Sequence, residues 1–216
     1  MYTETVSDAV WELLTRLNSV PEMKFCYLAG GTALALQLGH RRSEDLDFFT
    51  AKVLDDLFLK IETSLEDLDI LVVNQSPDHM ELMLQSVKVD FIHERIALKH
   101  PPNPILPQAG NLRAADPRDI GRMKLQSIAG RGSKKDFIDL YCLTRKIQPL
   151  KELITTAMGE DSGVRYSKLV FLKGLVDFED ADKEVDPVMV WDVDWEEIKK
   201  TLKSEVKGIA DEIQSE

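Results

Sequence analysis

The segment from residue 25 to residue 49 constrains the fold more than any other part of the sequence. A short apolar run, Phe25 to Ala29, ends at the pair Gly30-Gly31, and Thr32 to Leu38 is typical of a short helix that begins directly after the glycines. After a polar loop, Asp45 to Phe49 alternates acidic with apolar side chains, as a strand with one buried face does. The segment therefore predicts a strand, a glycine turn, a helix and a second strand.

The glycine turn and the second strand carry the groups of most chemical interest. Gly30 and Gly31 leave the backbone N–H groups of a helix start bare, and Thr32 adds a hydroxyl, which together suit a phosphate. Asp45 and Asp47 lie two apart on one strand, so both carboxylates project from the same face. Two like charges repel unless a cation lies between them, and carboxylate oxygens suit Mg²⁺ with a bound triphosphate. An exposed polar strand face is the alternative.

A third carboxylate, Asp90, stands in the alternating run Val87 to Ile92. If that run is a strand paired beside the Asp45 strand, three carboxylates converge, as a two-metal phosphoryl-transfer site requires. Asp90 would then be a metal ligand or the base for an attacking hydroxyl. The spacing alone leaves this pairing open.

The rest of the chain predicts an α/β or α+β fold in two lobes. Residues 52–68 have helical periodicity, and three strand candidates follow at 69–74, 80–85 and 87–92. Four prolines between His100 and Gly110 predict irregular structure, so we place the lobe boundary there. The prediction is a mixed-sheet lobe over residues 1–110 and a mainly helical lobe over residues 111–216, which completes the site.

The predicted helix from Pro117 to Arg131 has one unusual position. Its apolar arc includes Lys124, and a core-facing lysine must snorkel, pair with an acid or meet a ligand phosphate. Asp136 and Asp139 follow at helical spacing and could orient Lys124 or Arg131. The sequence favours a site for an anion here without excluding the other two readings.

Charge and composition narrow the class of protein. The net charge of −11 argues against non-specific attraction to nucleic acid, but residues 111–151 hold ten Lys or Arg against four Asp. That basic segment suits an anionic substrate such as a triphosphate or a tRNA, and a solvated pair of charged helices is the alternative. The sequence has no run that would span a membrane and no signal-peptide pattern, so we expect a cytoplasmic protein. Cys26 and Cys142 are expected to be buried free thiols.

Three stretches, GGTAL, RRSEDLDFF and KLQSIAGRGSKKDFIDLY, resemble a known family. They are similar to the AbiEii/AbiGii toxin-type nucleotidyltransferases of the DNA polymerase β superfamily. That family has a Gly-Gly-Ser/Thr-Ala-Leu turn, an Arg-x-Ser-x-Asp-x-Asp loop and strand, and a later lysine helix followed by an Asp-x-x-Asp-Leu segment. The likeness covers most of the chain.

The resemblance implies a magnesium-dependent, nucleotide-binding transferase. It would move a nucleotide from a nucleoside triphosphate to an acceptor hydroxyl, in known toxins the 3′ end of tRNA, within a toxin–antitoxin system whose antitoxin is a separate protein. A non-catalytic nucleotide-binding module and a metal-dependent phosphohydrolase are the alternatives. The resemblance implicates Asp45 and Asp47 in metal binding and catalysis, Lys124 and Asp139 in completing the nucleotide site, and Gly31, Thr32, Arg42 and Ser43 in nucleotide binding. The residue pattern itself adds Asp90 as a metal ligand or catalytic base, and Gly30, Lys124, Arg131 and Asp136 as nucleotide-binding residues.

Overall fold

The computed structural model describes residues 1–93, 98–106, 110–161 and 164–215. Contacts within the chain divide it into two compact units, Met1–Asp116 and Pro117–Glu216, which we call the sheet unit and the helical unit. The predicted fold class is confirmed, because a mixed seven-stranded sheet with helices is followed by a mainly helical unit. Within the described residues, no helix is both long enough and apolar enough to cross a membrane.

The sheet unit follows the predicted order of elements closely. Gln85 and Ser86 both have positive φ and close the hairpin between the fourth and fifth strands. The helices are α1 Asp8–Ser19, α2 Gly30–Leu38 and α3 Leu54–Ser64; the strands are β1 Cys26–Leu28, β2 Leu46–Thr50, β3 Ile70–Gln75, β4 His79–Leu84, β5 Val87–His93, β6 Asn103–Pro104 and β7 Arg113–Ala114.

The strand order is β3-β4-β5-β2-β1-β7-β6. Strand β2 is the central strand of this order. It runs antiparallel to β1 and parallel to β5. Successive side chains of a strand point to opposite faces of the sheet, and here the apolar residues share one face. On that face Phe48 stacks on Phe91, with ring centroids 5.4 Å apart. The other face carries Asp47 and Asp90, so the alternation that builds the core also displays these acids.

The prediction of irregular structure between residues 100 and 110 is wrong in part. Asn103 and Pro104 form the short strand β6 against β7. Proline is tolerated there because β6 is the last strand of the sheet, where its missing N–H removes no ladder bond on the outer side. Residues 107–109 lie outside the described part of the chain.

The helical unit is held together by an aromatic cluster. Trp195, the first residue of the last helix, packs edge-on against Phe137 and Phe178 at centroid distances of 5.9 and 5.6 Å. The elements are α4 Pro117–Gly130, α5 Lys134–Lys146, α6 Leu150–Ala157, the hairpin β8 Gly159–Asp161 with β9 Val164–Tyr166, α7 Lys168–Gly174 and α8 Trp195–Ser215.

The two cysteines are buried free thiols, as predicted. Burial raises the pKa of Cys26 to about 12, and a hydrogen bond with Thr50 offsets only part of that rise. The Cys26 thiol therefore stays protonated and unreactive at neutral pH.

Candidate functional site

The start of α2 is the first part of the candidate site. Its N-cap residue, Ala29, provides no side-chain cap, and the first N–H groups of any helix lack acceptors within the helix. Gly30 takes the left-handed conformation with φ of +64°, which turns the chain sharply from β1 into α2. The helix therefore presents backbone donors and the positive end of its dipole to whatever binds here.

The carboxylate of Asp47 lies against Gly30. A Cβ added to Gly30 would stand 2.2 Å from Asp47 Oδ2, so only a glycine admits the carboxylate at this place. The backbone supports the same approach, because the Ala29 N–H donates to the Asp47 carbonyl oxygen at 2.9 Å. The first turn of α2 and the acidic strand β2 are thus held side by side.

An arginine occupies the corresponding place over Gly31. A Cβ on Gly31 would stand 2.2 Å from Arg41 Nη2, and Arg41 is buried at 3% exposure. Arg42 is exposed, and its carbonyl oxygen accepts from Arg41 Nη1 at 3.0 Å; its part in nucleotide binding stays a prediction. The sequence analysis missed Arg41, although the motif Arg-x-Ser-x-Asp-x-Asp counted back from Ser43 begins at Arg41.

Thr32 and Ser43 connect α2 to the loop before β2. The Thr32 hydroxyl lies 2.8 Å from Ser43 Oγ and donates to the carbonyl oxygen of Asp45. Thr32 is 1% exposed, so its side chain positions the loop, while its backbone N–H stays at the helix start. Asp45 itself immediately precedes β2 and is exposed.

The sheet register places three acids in one row. Asp47 on β2 is the register partner of Asp90 on β5, and Asp90 is the partner of Glu81 on β4. The conditional pairing from the sequence, the Asp90 strand beside the Asp47 strand, is therefore present. Side chains of register partners share a face, so these acids lie on the same side of the sheet.

Asp90 has two basic partners that the sequence analysis missed. His79 Nε2 lies 2.6 Å from Asp90 Oδ1, and Lys88 Nζ lies 3.2 Å from Oδ2 and 3.4 Å from Glu81 Oε1. Burial lowers the pKa of Lys88, but the contacts with Asp90 and Glu81 raise it by more than burial lowers it. The pKa of Lys88 is therefore raised overall, and the lysine is charged. Both oxygens of Asp90 thus have cationic or hydrogen-bonding neighbours.

A site of three protein ligands for a metal is not formed in the described residues. No group of three or more His, Cys, Asp or Glu side chains there is arranged to hold a metal ion, so Asp45, Asp47 and Asp90 do not converge as such a group. Asp90 is held by His79 and Lys88, which gives a physical reason why it stands apart. The Asp47 carboxylate lies beside the backbone donors of α2, and such a combination suits a hard cation that also carries phosphate.

In the helical unit, Lys124 is the centre of a buried ion cluster. Its Nζ lies 2.8 Å from Asp136 Oδ1 and 2.8 Å from Asp139 Oδ2, and Lys124 is only 8% exposed. Asp136 also accepts from Ser133 Oγ at 2.8 Å and closes the capping box of α5. Of the three alternatives for this lysine, pairing with acids is the one observed.

Arg131, at the end of α4, is exposed and lines a groove of about 370 Å³ within the helical unit. Lys173, Asp177 and Asp180 line the same groove, so its charge is mixed. This mixture does not mark the groove as an anion site.

Several cations of the basic segment pair with acids in the helical unit. Arg122 is buried at 4% exposure against Asp119, and Lys134 is buried at 5% between Glu184 and Asp186. Arg145 and Lys151 pair with acids of α8, whereas Lys135 is exposed. Arg122 and Lys134 are therefore buried side chains of the helical unit and do not form part of its exposed surface.

Replacing Gly30 by alanine should lower activity by on the order of 10²-fold, because the new Cβ displaces Asp47. Stability should fall by about 1–3 kcal/mol, since a non-glycine residue is strained at positive φ. The matched control is Gly208→Ala on α8, where a Cβ meets nothing within 4 Å. Thermal unfolding and an activity assay of both variants make the comparison, and equal activity of the two would show that the contact between Gly30 and Asp47 is not needed.

The chain resembles known proteins in sequence and in fold. A profile of the family described as "Nucleotidyl transferase AbiEii toxin, Type IV TA system" matches residues 12–211. An uncharacterized protein of Aquifex aeolicus is 36% identical over 198 residues, which cover 88% of this chain and 92% of that protein.

Solved structures extend the likeness. JHP933 from Helicobacter pylori has a TM-score of 0.60 at 19% identity, over 97% of this chain and 95% of its own. MenT4, a nucleotidyltransferase toxin of Mycobacterium tuberculosis, has a TM-score of 0.63 at 14% identity, over 94% and 83%. At such identities the likeness shows a shared fold.

Proposed function

Because the chain belongs to the AbiEii nucleotidyl transferase toxin family, we propose that it transfers a nucleotide from a magnesium-bound nucleoside triphosphate to an acceptor hydroxyl. Family membership makes it a nucleotidyltransferase; the metal, the residues and the acceptor are the proposal. The observation that carries the proposal is the approach of Asp47 to Gly30, which brings an anionic metal ligand to the bare start of α2.

The charges around α2 support a triphosphate at this place. Arg41 and the helix dipole are both positive there, while Asp45 and Asp47 are negative. A ligand that carries both phosphate and a divalent cation satisfies the two signs together, which neither a free anion nor a free cation does. The donor set fits magnesium, since aspartate oxygens combined with phosphate oxygens are its usual ligands.

In the proposed reaction, the N–H groups of Gly31 and Thr32 and the guanidinium of Arg41 bind the β- and γ-phosphates. Asp45 and Asp47 hold the magnesium ion, which neutralises charge on the phosphates when bound. The acceptor oxygen forms a bond to the α-phosphorus, the bond from that phosphorus to the bridging oxygen breaks, and pyrophosphate leaves. The hydroxyl proton passes to Asp90, which lies beside Asp47 in the sheet register and is not one of the two metal ligands.

Thr32 and Ser43 would position this site without touching the phosphates through their hydroxyls. Lys124, Asp136 and Asp139 form a cluster inside the helical unit, and a part for them in nucleotide binding stays a prediction. For the acceptor we propose the hydroxyl at the 3′ end of an RNA, with a separately encoded antitoxin controlling the enzyme in the cytoplasm, as the toxin family suggests.

Incubation with α-³²P-labelled nucleoside triphosphates, magnesium and total RNA tests the proposal. We expect labelled RNA whose label is lost on removal of the terminal nucleotide, and no labelling when EDTA replaces magnesium. Release of phosphate without labelled product would indicate a phosphohydrolase, and binding without turnover would indicate a nucleotide-binding module. If a protein or a small molecule is labelled in place of RNA, the nucleotidyltransferase activity is supported and the proposed RNA acceptor is wrong.

If RNA is the acceptor, reversing the charge of Lys135 should reduce its labelling. Lys135→Glu changes an exposed cation on α5, and the matched control Lys207→Glu changes an exposed cation on α8. Phosphate contacts are salt-dependent, so we expect a loss on the order of fivefold at low salt that shrinks as salt is raised, with triphosphate binding unchanged. Lys134 is unsuitable for this test because its burial against Glu184 and Asp186 would confound folding with binding. If labelling changes neither with Lys135→Glu nor with salt, Lys135 does not contact the RNA.

A further inference from the structure

Two aromatic rings share the sheet face that carries Asp47. Phe49 follows Asp47 by two residues on β2 and so projects to the same side. Its register partner on β1 is Tyr27, and the two rings stack with centroids 5.7 Å apart and planes 14° from parallel. Both residues are half-buried, although the hydroxyl oxygen of Tyr27 is itself buried.

The pair belongs to an apolar row that runs alongside the acids. Ile92 on β5 is the register partner of Phe49, so Tyr27, Phe49 and Ile92 form a strip across three strands, which we call the aromatic shelf. The shelf lies two residues further along the strands than the row of Asp47 and Asp90, a separation of about 6.5–7 Å. That distance is comparable with the reach from an α-phosphate to the base of a nucleotide.

The opposite face shows what an aromatic pair in the core of this sheet looks like. Phe48 and Phe91 also stack across adjacent strands, but they are 0% and 2% exposed. Tyr27 and Phe49 are not enclosed in this way. Packing of the sheet core therefore explains why Phe48 and Phe91 are aromatic, but it does not explain the pair of Tyr27 and Phe49.

We propose that the aromatic shelf is a subsite for a nucleobase, an inference that rests on the proposed function. Every nucleobase has a π-face, and stacking on aromatic side chains is tolerant of base identity, so the shelf would bind any of the four bases. The base belongs either to the nucleoside triphosphate or to the terminal nucleotide of the RNA acceptor. Stacking of either one would position its reacting phosphate or hydroxyl beside Asp47.

The test compares ligands with and without a base. We would measure dissociation constants of the four nucleoside triphosphates and of inorganic tripolyphosphate, all with magnesium, for the wild type, Phe49→Leu and Tyr27→Leu. The matched control is Phe58→Leu, the same change at a half-buried position of α3. Leucine keeps an apolar side chain in the sheet, and thermal unfolding of each variant checks that the fold is retained.

We expect the wild type to bind each nucleoside triphosphate more tightly than tripolyphosphate, and the two shelf variants to lose about tenfold in nucleotide affinity. Binding of tripolyphosphate should not change in any variant. If nucleotide affinity is also unchanged but the KM for RNA rises about tenfold in the shelf variants alone, the base belongs to the acceptor.

Two results would overturn the subsite. Unchanged nucleotide affinity together with an unchanged KM for RNA would reject the shelf and leave the proposed function intact. Absence of nucleotide binding in the wild type would reject the proposed function and the shelf together.

Discussion

Asp47→Asn should reduce nucleotide transfer by on the order of 10³-fold or more while the sheet unit stays folded. Asparagine preserves the shape that fits against Gly30, so the approach of β2 to α2 is retained. What is lost is the negative charge, and with it a ligand for magnesium on the triphosphate. Thermal unfolding of the variant checks that the sheet unit is still folded.

Two further variants make the result specific. Asp45→Asn should have the same effect on transfer, because it removes the other carboxylate of the pair. Asp56→Asn changes an exposed acid on α3 and should leave both activity and stability unchanged. The measurement is initial rate with labelled nucleoside triphosphate over a range of magnesium concentration. Wild-type rates for Asp47→Asn would falsify the metal assignment.

The candidate site of the sheet unit could be predicted largely because its parts are local in sequence. Gly30, Thr32 and Asp47 fall within eighteen residues, and the strand–turn–helix pattern fixes which of them can meet. The pairing of Asp90 beside Asp47 could be stated only as a condition, since strand order depends on contacts distant in sequence. The contact between His79 and Asp90 could not be predicted for the same reason, because it depends on the register between β4 and β5.

Charge counted along the sequence was a poor guide to charge on the surface. The ten cations of residues 111–151 predicted an anionic partner, but Lys134 meets Asp186 and Arg145 meets Glu205, acids that lie 50 or more residues away. Net charge per segment sums residues without regard to their distant neighbours. The only sign in the sequence that Arg122 is buried with a partner is Asp119, three residues before it. That spacing is also common on exposed helices, so it does not predict burial.

Lys124→Met should destabilise the helical unit strongly, because it leaves Asp136 and Asp139 buried without their cation. Breaking a buried ion pair from one side costs about 3–5 kcal/mol. For a chain of this size that corresponds to a fall in Tm on the order of 10 °C. Lys135→Met, a change of the same kind at the exposed end of α5, should shift Tm little.

The pH dependence of stability follows from the raised pKa of Lys124. Burial alone lowers the pKa of Lys124, but Asp139 and Asp136 outweigh it and the pKa is raised. A raised folded-state pKa contributes stability that is fully present below the unfolded-state pKa and is lost as the pH rises through the folded-state pKa. The contribution of Lys124 to the unfolding free energy of the wild type should therefore be constant between about pH 6 and pH 9 and be lost at higher pH, as unfolding measured over that range would show.

A double variant separates a structural lysine from a phosphate ligand. If Lys124 chiefly compensates the fully buried Asp139, Lys124→Met combined with Asp139→Asn should be more stable than Lys124→Met alone, because no uncompensated charge remains at residue 139. Adding a nucleoside triphosphate raises Tm only where the nucleotide still binds. If Lys124 contacts phosphate, the double variant recovers stability but loses the nucleotide-dependent rise in Tm. If that rise is preserved, the lysine holds the helical unit together, and binding of the triphosphate rests on Gly31, Arg41, Asp45 and Asp47.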